Sequence, residues 1–187
     1  VVSWFGDDLR CGECTIAPRV ESAVKEVVDN VWSVAGLTRA GARVVSQIDG
    51  GPAIGGAPSD ETVIGAIRDL KKRGLSVVFY PFVMMDVPAD NHLPDPWSGA
   101  ASQPAFPWRG RITCHPAPGV GGSPDGSAEA GAQVERFFGP SAPGAEDWCY
   151  RRFVLHCADL CARAGGVDAF LIGSELASLT RVRSAPG

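Results

Sequence analysis

The chain begins with two short runs of apolar residues. Between them lies a segment whose apolar residues recur at helical spacing. Residues 1–5 are β-branched and aromatic and are followed by Gly-Asp-Asp, which predicts a buried strand that ends in a polar loop. Residues 18–30 carry valines at helical spacing and predict a helix. Residues 42–47 predict a second short strand, which is followed by a turn-rich loop. The chain therefore begins with a strand–helix–strand pattern.

The most complete helix signals occur at residues 60–73. Ser59 is a good N-cap residue, two acidic residues occupy the first turn, and Lys-Lys-Arg ends the stripe. The apolar run at residues 75–85 has no alternation, which is typical of a strand covered on both faces of a parallel sheet. Residues 146–164 predict a further helix, and residues 167–172 predict a fourth strand.

A long segment of different composition, residues 86–145, follows the third strand. It contains 19 of the 38 glycine and proline residues of the chain. Loops of this length inside a domain are usually functional or disordered. The embedded aromatic residues indicate that this loop is partly packed; they are Trp97, Phe106, Trp108, Phe137 and Phe138.

The order of these elements predicts an α/β fold with a βα repeat. The turn after the first strand lacks the glycine pattern of a doubly wound nucleotide-binding sheet, which favours a TIM barrel. Because a complete barrel needs about 250 residues, we expect residues 1–187 to be the N-terminal part of a single TIM-barrel-like domain. This part would comprise about the first four βα units of a (β/α)8 barrel, and the C-terminal half would be missing. Its first and fourth strands would then be unpaired edges, so the fragment is expected to self-associate.

The charge and composition of the chain argue against several classes of protein. The formal net charge is -4 and the longest basic run has three residues, which argues against a nucleic-acid partner. The apolar runs are too short to cross a bilayer, and we expect no membrane anchor and no signal peptide. Six cysteines are too few for a disulfide scaffold. Cys149, Cys157 and Cys161 share a helix face and are expected to be small buried apolar residues.

Candidate functional residues stand at the strand ends, because functional groups of TIM barrels lie at the carboxyl ends of the strands. Asp7 and Asp8 follow the first strand, although their pattern favours a role as turn or capping residues over a functional one. The third strand supplies Tyr80 and Asp86, and Asp86 also has an alternative interpretation as a turn residue.

The fourth strand end supplies Ser174 and Glu175. At the mouth of a barrel, partial burial would raise the pKa of Glu175 and suit it to general-acid catalysis. Alternatively, Glu175 begins the next helix, whose apolar stripe would be Leu176, Leu179 and Val182.

The long loop offers flat apolar faces beside charged donors, the combination that sugar recognition requires. These residues are Trp97, Trp108, Arg109 and Arg111, and the alternative for at least one tryptophan is simple anchoring of the loop. The histidines form no recognisable catalytic triad, and His156 is expected to be a partnered core residue.

A zinc site is a minor alternative. It would use Cys11, Cys14, Cys114 and His115, which include a single C-x-x-C motif. Our primary expectation is that the protein uses neither a metal nor another cofactor.

A set of motifs in one order along the chain resembles the TIM-barrel-like domain of gene transfer agent and phage tail proteins. The motifs are WFGDDL from Trp4, GGAPSD from Gly55, FYPF from Phe79 with Met85-Asp86, PWRGRIT from Pro107, and GVDAFLIGSEL from Gly166. The resemblance implies a glycoside-hydrolase-like domain in a baseplate protein of a phage-like particle, made in the bacterial cytoplasm. The implied partners are cell-envelope polysaccharide or peptidoglycan and other tail proteins.

The fourth strand end is also similar to that of clan A glycoside hydrolases, which implies that Glu175 is the acid/base. Ser174 stands where that clan has asparagine, and the clan's nucleophile lies at the end of strand seven. A retaining glycosidase needs two carboxyl groups about 5 to 5.5 Å apart, so this chain alone is expected to be inactive. The leading hypothesis is a glycan-binding or glycan-hydrolysing tail domain. The alternative is a catalytically inactive structural or receptor-binding baseplate domain.

Overall fold

The computed structural model describes residues 1–24 and 31–186, and its secondary structure is mixed α and β. In this part of the chain the strands, in order, are β1 (Val2–Gly6), β2 (Ile16–Ala17), β3 (Arg19–Val20), β4 (Ser33–Val34), β5 (Leu37–Thr38), β6 (Arg43–Val44), β7 (Gln47–Ile48), β8 (Gly51–Pro52), β9 (Val78–Phe79), β10 (Pro81–Met85) and β11 (Ala169–Phe170). The α-helices are α1 (Asp60–Lys72), α2 (Ala128–Phe138) and α3 (Tyr150–Arg163). Single 3-10 turns occur at Arg39–Gly41, Arg109–Arg111 and Leu179–Arg181.

The chain divides into two compact units, each assembled from three segments. The first unit comprises Val1–Trp4, Pro18–Phe82 and Phe153–Ser174. The second unit comprises Phe5–Ala17, Val83–Arg152 and Glu175–Gly187.

Helix α1 of the first unit forms where its end signals predict it. The Ser59 hydroxyl accepts a hydrogen bond from the Thr62 amide at 3.2 Å, which satisfies one of the free amides of the first turn. Three apolar side chains on one face are buried, namely Val63, Ile64 and Ile67. The predicted helix is therefore confirmed to within one residue at its C-terminus.

The first-unit part of α3 is held by polar contacts to α1 and by an aromatic contact. Asp60 lies 2.8 Å from the His156 Nε2 atom, and Phe153 stacks on Trp4 with ring centroids 5.1 Å apart. Lys71 donates to the carbonyl oxygens of Gly165 and Gly166, just beyond the end of α3. The prediction that His156 has a polar partner is confirmed, although its side chain is partly exposed and does not belong to the fully buried core. The helix begins at residue 150 instead of the predicted 146.

Two parallel strand pairs lie in the first unit. Strand β9 pairs with β11, and the rings of Phe79 and Phe170 stack 5.6 Å apart. Strand β3 pairs with β6, which corrects the helix predicted for residues 18–30 at its N-terminal end. Valine is well suited to an extended strand, and pairing with β6 outweighs the weak helical stripe here. Residues 25–30 of that predicted helix lie outside the described residues.

The end of β1 belongs to the second unit, where it is hydrogen-bonded to other segments on both sides. Phe5 and Gly6 pair antiparallel with β2, and the Asp86 amide donates to the Gly6 carbonyl at 2.9 Å. A Cβ atom at position 6 would lie 2.8 Å from the Met85 sulfur, so this close approach requires glycine. Strand β1 lies between β10 and β2 in a three-stranded sheet. The expectation that the first strand is an unpaired edge is therefore wrong.

The segment at residues 86–145 is packed and contains α2, which the sequence pattern did not predict. Its loops are held by buried polar side chains. The Asn91 side-chain amide donates to the carbonyl of Gln103, and the Asn91 side-chain oxygen accepts from the Gln103 amide. The Phe137 side chain is fully buried, which confirms that this segment is at least partly packed.

The predicted α/β class is confirmed, but the strands of the described residues form five small sheets and no closed barrel. They also do not follow the consecutive order of a barrel, because β1 neighbours β10 whereas β6 pairs with β3. No helix in the described ranges combines the length and the apolar character that a bilayer span requires.

Candidate functional site

Glu175 follows the fourth predicted strand in an unusual backbone conformation. Its φ angle is 53°, in the left-handed region that residues other than glycine rarely adopt. This angle is incompatible with the start of a right-handed helix, and the next helical element is the 3-10 turn at Leu179–Arg181. The interpretation of Glu175 as a helix-starting residue is therefore wrong. Strained backbone of this kind is often concentrated at functional sites.

Two donors hold the Glu175 side chain through one oxygen. The Trp108 indole nitrogen donates to Oε2 at 2.8 Å, and the Arg109 guanidinium lies 2.9 Å from the same atom. The Arg109 side chain is 7% exposed, whereas 54% of the Glu175 side chain is exposed. The partial burial that we expected for Glu175 is therefore slight. Within the described residues no group donates to its second oxygen, Oε1.

Gly110 allows this arrangement because the Trp108 ring lies directly over it. A Cβ atom at position 110 would lie 2.4 Å from two carbons of that ring, which is far inside van der Waals contact. The Ser178 amide donates to the Gly110 carbonyl at 3.1 Å. The short turn is thus joined directly to the segment that follows Glu175.

Trp97 supports the same turn from its other end. Its indole nitrogen donates to the Arg111 carbonyl at 2.9 Å, and its amide donates to Asp95. The Arg111 guanidinium lies 3.7 Å from the Asp95 carboxylate. Trp97 therefore anchors the loop, which was one of the two interpretations of its role. Its indole nitrogen is hydrogen-bonded within the loop itself.

Asp7 and Asp8 do not join this cluster through any direct contact that the structure describes. Asp8 is buried, forms a two-oxygen ion pair with Arg10 and accepts a hydrogen bond from the Gln103 side chain at 2.7 Å. Asp7 accepts from the amide and the hydroxyl of Thr15. Both contacts are those expected of carboxylates that order a loop.

The remaining predicted residues are placed as follows. Asp86 belongs to the second unit and is 1% exposed. Tyr80 and Ser174 both belong to the first unit, where their hydroxyl groups are hydrogen-bonded to each other. Of the nine predicted site residues, Trp108, Arg109 and Glu175 thus form one cluster in the second unit, and Tyr80 and Ser174 form a pair in the first unit.

The cysteines do not assemble the alternative zinc site. All six are free and buried, and the described residues include no group of three or more side chains that could hold a metal ion. Burial raises the pKa of the Cys11 thiol to about 12, and it also raises the pKa values of Cys14 and Cys157. Thiols in such surroundings stay protonated, and the prediction that Cys149, Cys157 and Cys161 are buried is confirmed.

Sequence reasoning missed two contributors to the Glu175 cluster. Gly110 contributes through its missing side chain, and Ser178 contributes through its backbone amide. The only available signal was the glycine between Arg109 and Arg111, since a glycine beside a large aromatic residue often marks a close approach.

Comparison with known families relates the C-terminal part of the chain to gene transfer agents, which are phage-like particles. Residues 148–187 match the GTA TIM-barrel-like domain. This match includes α3, β11 and Glu175, and it confirms the predicted resemblance to that domain. No curated protein matches the chain.

Proposed function

We propose that this chain is part of a glycoside-hydrolase-like, partial TIM-barrel domain in the tail or baseplate of a gene transfer agent or phage particle. In this proposal Trp108, Arg109 and Glu175 bind cell-envelope glycan, either polysaccharide or peptidoglycan. The contact of one exposed carboxylate with an indole and a buried guanidinium is the observation that carries the proposal.

The three side chains supply complementary groups for a sugar. The Trp108 ring is 52% exposed and offers an apolar face to the C–H groups of a pyranose. Arg109 fixes the Glu175 carboxylate, whose Oε1 atom is then available to accept from a sugar hydroxyl.

Hydrolysis requires one further group. Glu175 would protonate the leaving glycosidic oxygen, and a second carboxylate would attack the anomeric carbon. The described residues do not identify that nucleophile, so the binding step is the part of the proposal that this chain supports on its own.

The test uses the intact protein and measures binding to purified envelope glycan together with release of reducing ends. Trp108→Ala should weaken binding about tenfold, because it removes the aromatic face. If the domain is hydrolytic, Glu175→Gln should reduce turnover at least about a hundredfold. Glu146→Gln, a change at an exposed carboxylate, is the control. Unchanged binding by Trp108→Ala and unchanged turnover by Glu175→Gln would together refute the proposal.

A catalytically inactive structural or receptor-binding baseplate domain is the second candidate. It is favoured by the ion pair itself, since Glu175 also neutralises the buried Arg109. In that case Glu175→Gln would lower the melting temperature, and no glycan in the panel would show saturable binding.

A further inference from the structure

A small polar pocket lies in the second unit, and none of the residues that form the Glu175 cluster line it. Its volume is about 180 Å³. One wall is the loop that carries Arg10, Gly12 and Glu13, the other wall is α2, and His115 also lines it. Neither the sequence motifs nor the family match explains this pocket.

Helix α2 contributes three polar side chains from one face. Glu129, Gln133 and Arg136 are spaced at i, i+4 and i+7 and therefore point in the same direction. The Gln133 side-chain oxygen accepts from the His115 amide at 2.8 Å, so the helix is fixed to the segment that carries His115. A Cβ atom at position 12 would lie 3.0 Å from the Arg136 guanidinium, which places that group directly over the Gly12 backbone.

The pocket presents both positive and negative groups, which keep donors and acceptors free for a ligand. Asp8 holds the Arg10 guanidinium through Nε and Nη2, so that the Nη1 donors of Arg10 stay available. Arg136 makes one contact of 3.3 Å with Glu129, which leaves it further donors. The Glu13 side chain is exposed at the loop, with no ion pair to any described residue within 4.0 Å.

The side chains that line the pocket argue against three classes of ligand, namely simple anions, metal ions and sugars. The lining holds two carboxylates, those of Glu13 and Glu129, and two guanidinium groups. Asp8, which does not line the pocket, already pairs with Arg10, so an anion without a positive charge of its own is disfavoured. The described residues offer no three-ligand cluster for a metal ion. The lining also lacks an aromatic side chain other than the His115 imidazole, whereas sugar sites favour an aromatic face.

We propose that this pocket binds a small zwitterion, specifically the head group of an α-amino acid. The carboxylate would accept from Arg10 and Arg136, and the ammonium group would donate to Glu13 and Glu129. This site is independent of glycan binding at Glu175.

Isothermal titration of the intact protein with L-alanine tests the proposal. Saturable binding is expected, and N-acetyl-L-alanine and L-alaninamide should each bind at least tenfold more weakly, because each lacks one of the two charges. Glu13→Gln and Arg136→Gln should each weaken L-alanine binding at least tenfold. Glu135→Gln, an exposed change on the same helix outside the pocket, should leave binding unchanged.

Three results would overturn the proposal: no saturable binding of L-alanine, equal binding of the two single-charge analogues, or binding of glucose in preference to L-alanine. Thermal melting of each variant checks that the fold is intact, and Glu13 is suited to this test because its side chain is exposed. Trp108→Ala should not change L-alanine binding, so failure of this proposal is distinguishable from failure of the glycan proposal.

Discussion

The buried thiol of Cys11 illustrates how the surroundings of one residue set its chemistry. Cys11 is fully buried, and its amide donates to the Thr113 carbonyl at 2.8 Å. Burial raises the pKa of this thiol to about 12 from an ordinary value of 9.0, because a thiolate is poorly solvated there. Cys11 is therefore a protonated core residue at neutral pH.

This shift predicts a loss of stability at alkaline pH. Below pH 9 the thiol is protonated in both states and contributes no pH dependence. Between pH 9 and about pH 12 the unfolded chain releases a proton that the folded chain retains, so the free energy of unfolding falls as the pH rises. One thiol lowers the free energy of unfolding by at most about 1.4 kcal/mol for each pH unit in this range.

Denaturant unfolding of the wild type and of Cys11→Ala at pH 8 and pH 10 measures this effect. The variant should lose less stability between the two pH values than the wild type. Val45→Ala is the control, because it also truncates a buried side chain but removes no ionisable group. Equal losses in the wild type and Cys11→Ala would contradict the prediction.

At the scale of elements, the 3-10 turn at Arg109–Arg111 organises the candidate site. It positions two donors to one carboxylate oxygen, and its central carbonyl accepts from the Ser178 amide. A turn of three residues has little stability of its own, so its geometry depends on the absence of a side chain at Gly110.

Gly110→Ala should therefore disrupt the site without unfolding the protein. The added methyl group would displace the Trp108 ring and break its hydrogen bond to Glu175, and we expect glycan binding to weaken several-fold. Gly121→Ala is the matched control, since a Cβ atom there meets no heavy atom within 4 Å. If Gly110→Ala binds glycan as well as Gly121→Ala does, Trp108 does not act through this turn.

Elements whose ends are marked by capping and charged residues in the sequence were predictable. Elements and contacts that depend on residues distant in the sequence were not. Helix α1 has its N-cap Ser59 and charged ends in the sequence itself, so its bounds were predicted closely. Helix α2 lies among glycine and proline residues that obscure its pattern, although Ser127 and Gly139 flank it. The Glu175 contacts join residues more than 60 positions apart, and no local pattern encodes them.

At the scale of the whole molecule, the expected self-association is left with one of its two predicted edges, the fourth strand. Strand β1 is covered by β2 and β10, so it is not the apolar edge that we expected. The exposed apolar side chains near β9 and β11 in the first unit include Leu75, Val78, Leu171 and Ile172. Parallel strands normally have both faces covered, which makes these residues the best candidates for association.

We predict that the 187-residue chain self-associates through these residues. Ile172→Lys should shift the sedimentation profile toward monomer, because the Ile172 side chain is 74% exposed and a charge there opposes burial. Trp108→Lys, which changes an exposed apolar residue of the second unit, should leave the profile unchanged. A monodisperse wild-type monomer would show that these exposed residues do not drive association.

The exposed ring of Trp108 makes the intrinsic fluorescence of the protein sensitive to ligands at the candidate glycan site. Trp4 and Trp32 are 1% and 7% exposed, so their emission should be blue-shifted and insensitive to added solutes. Trp108 is half-exposed and hydrogen-bonded to a carboxylate, and a ligand that covers its ring will change both its emission wavelength and its access to iodide. Trp97 and Trp148 are partly exposed and also emit, so occupancy of the candidate glycan site is measured as the fluorescence change that the wild type shows and Trp108→Phe does not.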